Sequence, residues 1–209
     1  VAHDHEHDHD HEHDHDHEHD HVHEHEVDED ARAEAEADAR RQIALSQIRQ
    51  YGDSALRLKA HEVADAEFDD DLRRLVDRMI LLMHDAQGVG LAATQVGVLR
   101  RLFVFEADDE GPRAIVNPVI VESSDETEVD DEGCLSLQGV RVPVERSVSV
   151  VLEGKDPNGE DVRLELEGYP ARVVQHELDH LDGVLLIDRT DDAHRKEALG
   201  TLRPRAVLR

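Results

Sequence analysis

The chain has 209 residues, 38% of them hydrophobic, and a formal net charge of −28. That length supports one core and one domain with some chain left over, and so acidic a chain lacks the clustered Lys and Arg that phosphate contacts need, which argues against nucleic acid or an anionic membrane surface as partner. No apolar run approaches ~18 residues, so no bilayer-spanning helix is expected, and the single cysteine, Cys134, suits a reducing compartment.

The N-terminal stretch lacks the basic and apolar regions of a secretory signal, so the expected location is cytoplasmic. Residues 1–30 alternate His with Asp or Glu from His3 to His25, interrupted only by Val22, and hold twelve of the 17 histidines. Such a segment has almost no apolar surface to bury and is expected to be disordered. Two readings of it stay open, a solvated acidic arm or a metal-capturing one, since neutral imidazole is a common metal ligand. Residues 31–45 are Ala-rich with mixed charge and read as a helical or flexible linker. The folded domain is expected from Ser46 to about Arg205.

Phe68-Asp69-Asp70-Asp71 opens the clearest helix, because aspartates cap free N–H groups and favour the helix dipole. Leu72, Leu75, Val76, Met79, Leu82, Met83 and Ala86 recur at three- and four-residue spacing, and Gly88 is expected to end the helix. His84, on this helix, reads as a packed or partly exposed histidine. The following run Gly88 to Gln95, GVGLAATQ, lacks the Lys-Ser/Thr of a phosphate loop. It reads either as tight helix-to-strand packing or as a groove in which Gln95 stabilises an oxyanion.

Beyond Gly97 the periodicity changes to strands, over Leu99–Glu106, Ala114–Glu122, Val140–Val144, Val148–Glu153 and Val162–Glu167. The last two are joined by Lys155-Asp156-Pro157-Asn158-Gly159, a hairpin turn. Cys134 follows an acidic loop in Glu132-Gly133-Cys134-Leu135-Ser136; it reads as a buried inert thiol or as a soft metal ligand. Pro170 starts a helix in the first-turn position, where its missing N–H costs little. Ala171, Val174, Leu178 and Leu181 project opposite His176 and His180 on that helix, and Asp182-Gly183 ends it. Val184–Ile187 form a short apolar element and Asp192–Leu202 a charged C-terminal helix.

The stretch QHELDHL, Gln175 to Leu181, carries the sharpest chemistry. Two imidazoles four residues apart lie on one helical face and can share an ion, with Glu177 a quarter-turn to the side. The pattern alone is weak, because the N-terminal segment spells H-E-x-x-H three times by composition. A metal site also needs a third ligand, for which Cys134 is the natural candidate; two His and one Cys leave a fourth position open, as catalytic sites do. Rival readings are an H-E-x-x-H metallopeptidase, drawing its third ligand from Asp188 or His194, and a metal-storage or metal-delivery protein acting through the His-rich segment.

Taken in order, GVGLAATQ, EGCLS and QHELDHL resemble the three signatures of the peptide deformylases, and the resemblance covers about Ser46 to Arg205. It implies an α+β fold, with antiparallel β-sheets packed around a central metal-binding helix. The implied activity is hydrolytic removal of the formyl group from the N-terminal methionine of newly made polypeptides, releasing formate. Cys134, His176 and His180 would be the metal ligands for one ion per site, with Fe(II) the expected ion and Ni, Co or Zn as replacements. Glu177 would be the general base and later acid, while the Gln95 side chain and the Leu135 backbone N–H would bind the developing oxyanion. Val89, Gly90, Gly133, Arg141 and Val173 would line the substrate groove. The implied partners are formyl-methionyl nascent peptides, met in transient proximity to the ribosome by a monomeric enzyme. Gln138 departs from the family pattern, which often has Pro there.

Overall fold

The computed structural model describes residues 20–202, with side chains from residue 31. These fall into two compact units, one through Asp38 and one from Ala39 onward. Helix α1 spans Asp20–Gln47 and so begins inside the segment whose composition reads as disordered; residues 1–19 and 203–209 lie outside the described residues. Alternating alanines favour the helix, the exposed pair Arg32–Glu36 at 3.1 Å adds a few tenths of a kcal/mol at most, and among its described side chains, from residue 31 on, the buried ones are Ala44 and Leu45 in its last turns.

Helix α2, Asp70–Asp85, has Asp69 as its N-cap, whose carboxylate accepts from Leu72 N–H at 3.0 Å. Its end differs from expectation: Gln87, not Gly88, takes the left-handed conformation, with φ 57°. Gln87 N–H bonds back to His84 and Gly88 N–H to Met83, closing the last turn in a Schellman arrangement. Gly88 instead leaves room for a neighbour, since a Cβ there would sit 2.7 Å from Leu135 Cδ1 and the leucine end would have to shift.

Seven strands follow among the described residues. β1 (Gly90–Ala92), β2 (Leu102–Phe105), β3 (Arg113–Ser123), β6 (Ser149–Lys155) and β7 (Asp161–Glu167) form an antiparallel sheet in the order β1-β2-β3-β6-β7. β4 (Thr127–Gly133) and β5 (Arg141–Ser147) form a separate antiparallel pair. β2 reads as a continuous apolar run because both its faces are covered: Leu102 and Val104 pack with α2, while Phe103 and Phe105 pack on the opposite side. That opposite side receives helix α3, Tyr169–Leu181, through Ala171, Val174 and Leu181. α3 also touches β5, so it lies centrally between the two sheets, as the α+β reading requires. A third cluster joins Val142 and Val144 of β5 to Leu185–Ile187 and to Ala198 of α4 (Asp192–Leu202).

β3 is bulged between Val116 and Val119, where Asn117 adopts φ 54° and its side-chain amide brackets Val63, accepting from its N–H and donating to its C=O. Gly154 on β6 fits against this irregularity. An added Cβ would lie 2.5 Å from Ile115 Cγ2 and 2.9 Å from the Val116 carbonyl oxygen. Gly154→Ala is therefore expected to destabilise the domain by about 1–3 kcal/mol, read as a lower urea midpoint with an unchanged m-value.

Candidate metal centre

α3 starts with Pro170 in its first turn and presents His176, Glu177 and His180 to the interior. The two imidazoles stand edge to face with centroids 4.9 Å apart. Cys134, one residue past β4, brings its Sγ to 3.2 Å from His180 Nε2. One ligand atom from each of Cys134, His176 and His180 lies within 4.8 Å of the other two, the grouping among the described residues that can hold a metal. A thiolate and two imidazoles suit a borderline divalent ion, and three protein donors leave a coordination position for a reactant.

The orientation of His176 comes from a buried carboxylate. Glu132 on β4 accepts from His176 Nδ1 at 2.9 Å, which leaves the other ring nitrogen for the ligand cluster. Arg146 grips Glu132 with two bonds, at 2.9 and 3.0 Å, and Arg172 adds a third at 3.0 Å. Arg146 also reaches Asp179 at 2.6 Å, and Asp179 takes two bonds from Arg189. Burial works against the Glu132 charge, but the bonds from His176 and Arg146 outweigh it and hold its carboxyl at about 2. His176, despite burial, is raised well above the usual imidazole range by its bonds to Cys134 and Glu132, whereas burial and the neighbouring His176 push His180 well below it.

Glu177 lies in the opposite environment. Burial pushes its carboxyl up to about 7, and its buried Oε2 has no hydrogen-bond partner among the described residues. Gly90 makes room for it, because a Cβ at that position would overlap Glu177 Oε1. Gln95 is 1% exposed and its amide is fixed at both ends. Oε1 accepts from Ala92 N–H at 2.8 Å, so Nε2 faces Ser136 Oγ at 3.1 Å and Cys134 Sγ at 3.6 Å. Among the described residues Leu135 N–H has no acceptor, while its carbonyl accepts from Gln50 Nε2 at 3.2 Å. Gln138 in turn donates to Gln50 Oε1 at 3.0 Å, so a side-chain relay braces the loop from Leu135 to Gln138.

A cavity of about 750 Å³ opens onto this cluster. All five groove residues, Val89, Gly90, Gly133, Arg141 and Val173, line it, as do Gln95, Cys134, Leu135, His176 and Glu177. His180 lies behind the wall, 1% exposed. The alternative third ligands are committed elsewhere: Asp188 pairs with Arg57 and caps Leu185 N–H, and His194 pairs with Asp191 at 2.7 Å. His84 is 44% exposed and bonds Glu106, as a surface histidine.

The roles of Glu132, Arg146, Arg172 and Asp179 are not apparent from the motifs alone. Two signals point to three of them afterwards: Glu132 and Asp179 sit inside EGCLS and QHELDHL, and Arg146 continues the inward alternation of Val142 and Val144.

The sequence profile of the family described as Polypeptide deformylase matches residues 45–196. The peptide deformylase of Thermotoga neapolitana is 50% identical over 149 residues, 71% of this chain and 89% of that one. Peptide deformylase 1 of Corynebacterium efficiens is 46% identical over 164 residues, covering 77% and 96% of the two chains. Among solved structures, the peptide deformylase from Thermotoga maritima aligns with a TM-score of 0.66 and 49% identity over 69% of this chain and 96% of that one. One from Legionella pneumophila gives 0.70 and 38% over 74% and 91%.

Glu132→Gln keeps the shape of the side chain but removes the charge between two buried guanidinium groups. It is expected to weaken metal binding by about 10–100-fold, measured by competition with a chromogenic chelator, and to lower the melting temperature.

Proposed function

The chain belongs to the peptide deformylase family, and from that premise we propose which of its residues carry out the reaction. The enzyme is a metal-dependent hydrolase that removes the N-formyl group from the N-terminal methionine of newly made polypeptides and releases formate. We assign Cys134, His176 and His180 as ligands of one ion, Fe(II) in the working enzyme with Ni, Co or Zn as replacements. The observation that carries this is the convergence of a cysteine sulfur and two imidazoles beside a buried, unpartnered carboxylate oxygen at the wall of the cavity.

When bound, the ion supplies Lewis acidity, acidifying water and polarising a carbonyl. Glu177 accepts the proton from the attacking water through a carboxylate oxygen that no protein donor occupies. As the water oxygen bonds to the formyl carbon, negative charge develops on the formyl oxygen. Gln95 Nε2 and Leu135 N–H are the donors that receive it, contacts of a class worth about 3 kcal/mol. The C–N bond then breaks, and Glu177 returns its proton to the leaving amine. Val89, Gly90, Gly133, Arg141 and Val173 are proposed to hold the formyl-methionyl peptide.

The catalytic domain is read as residues 46–205, with 31–45 leading into it and the His-rich segment 1–30 as an accessory arm. The same reading carries a cytoplasmic monomer that meets nascent chains near the ribosome without binding nucleic acid. No helix among the described residues is long and apolar enough to cross a membrane.

Two variants test the assignment with formyl-Met-Ala-Ser as substrate. Glu177→Ala, purified anaerobically, is expected to hold one ion per chain as the parent does, yet to lose at least about 10²-fold in formate release; parental turnover would remove Glu177 from the role. Gly90→Ala should fold and bind metal but displace the Glu177 carboxylate. A fall in kcat larger than the change in KM is expected, and an unchanged kcat would show that this close approach is unimportant.

A further inference from the structure

We propose that Arg41, on the N-terminal helix, reads an acidic side chain among the three residues that follow formyl-methionine in the substrate. This rests on the reading of the cavity as a formyl-peptide groove. Arg41 lies upstream of residue 45, where the match to the family begins, so the contact belongs to the segment this chain adds in front of the shared domain.

Arg41 and Leu45 are four residues apart on α1, hence on one face of the helix, and both line the cavity. Leu45 is 3% exposed and packs in the same cluster as α2, which fixes that face of the helix against the groove. Among the described residues the buried Arg41 Nε has no hydrogen-bond partner and Arg41 makes no ion pair. A buried guanidinium donor without an acceptor is unfavourable, and a carboxylate is the acceptor whose planar geometry it matches best.

The charges of the groove are not uniform. Asp130 and Asp131 line it from β4, and Arg141 is turned toward that side, donating to the Asp131 carbonyl at 3.1 Å. The helix side has Arg41 as its charged group. A volume of about 750 Å³ exceeds what one methionine needs and accommodates several residues of an extended peptide. A carboxylate on the helix side would therefore meet an unpaired cation, while a lysine there would meet like charge.

The test compares kcat/KM for formyl-Met peptides carrying Glu, Ser or Lys at each of the three following positions, in the metal-loaded full-length enzyme. The parent is expected to favour Glu over Lys at one or more positions by about fivefold, and the preference should shrink in 1 M salt, where the Debye length falls to ~3 Å. Arg41→Gln should abolish the preference, Arg41→Lys retain it in part and Arg41→Glu reverse it. Formate release with Glu-to-Lys ratios that no Arg41 variant changes would overturn the proposal, as would an equal rise in KM for all peptides, which is the mark of a mere wall residue. Release of formate from the Ser peptides by the parent reports separately on the deformylase reading, whose failure would also end this one.

Discussion

The carboxylate of Glu132 is the constraint on which the rest of the site depends. Two carboxylate oxygens offer about four acceptor positions, and Glu132 fills them: Oε1 from Arg146 Nε and Arg172 Nη1, Oε2 from Arg146 Nη2 and His176 Nδ1. The donors come from β5 and from two successive turns of α3, so one side chain ties the two-stranded sheet to the central helix. Arg146 extends the tie by another turn through Asp179. Residues 172, 176 and 179 thus hold α3 along a single stripe. Apolar residues of similar volume could hold a helix to a sheet equally well. They could not present a hydrogen-bond acceptor to an imidazole and so select which of its nitrogens faces the ligands.

The same strand geometry places Cys134. Side chains two residues apart along an extended chain point to the same side, so Glu132 and Cys134 both turn toward α3, one to orient His176 and the other to join it. The glycines of the first motif serve the other two motifs in turn. Gly88 leaves space for the Leu135 side chain and Gly90 for the Glu177 carboxylate. GVGLAATQ is therefore the surface against which EGCLS and QHELDHL are pressed, and Gln95, fixed by Ala92 N–H, supplies the amide at the junction.

What could be read from the sequence follows from where apolar periodicity reports burial. α2, α3 and α4 were legible because each has one buried face or a clear boundary signal, and the β6–β7 hairpin because its turn residues are explicit. β1 was hidden by its length of three residues, and β4 by its chemistry. The run Thr127–Gly133 has little apolar content to alternate, since the residue it buries is Glu132, and the strand is recognisable only through its partner β5. β5 was read as ending at Val144 for the same reason: the next inward residue is Arg146, a charge whose burial makes sense only once Glu132 and Asp179 are beside it. The cluster proposed to hold the metal, Cys134, His176 and His180, was legible as chemistry. The groups that orient them were not, because an ion pair formed between distant segments leaves no local pattern.

Glu132 and Glu177 show how far one fold separates two chemically equivalent side chains. Both are almost fully buried, at 6% and 4% exposure, so burial alone does not distinguish them. The difference lies in what accompanies the burial. Glu132 receives four hydrogen bonds from two guanidinium groups and an imidazole, and its carboxyl is held at about 2. Glu177 has a free buried oxygen at the cavity wall, and burial dominates to push it to about 7. A carboxylate saturated with donors cannot exchange protons near neutrality, which is what a fixed structural anchor requires. One with an unoccupied oxygen and a raised affinity for protons can accept and return them, the property a general base needs when it must later act as an acid. The proposed roles, anchor for Glu132 and proton carrier for Glu177, thus rest on their partners rather than on their depth.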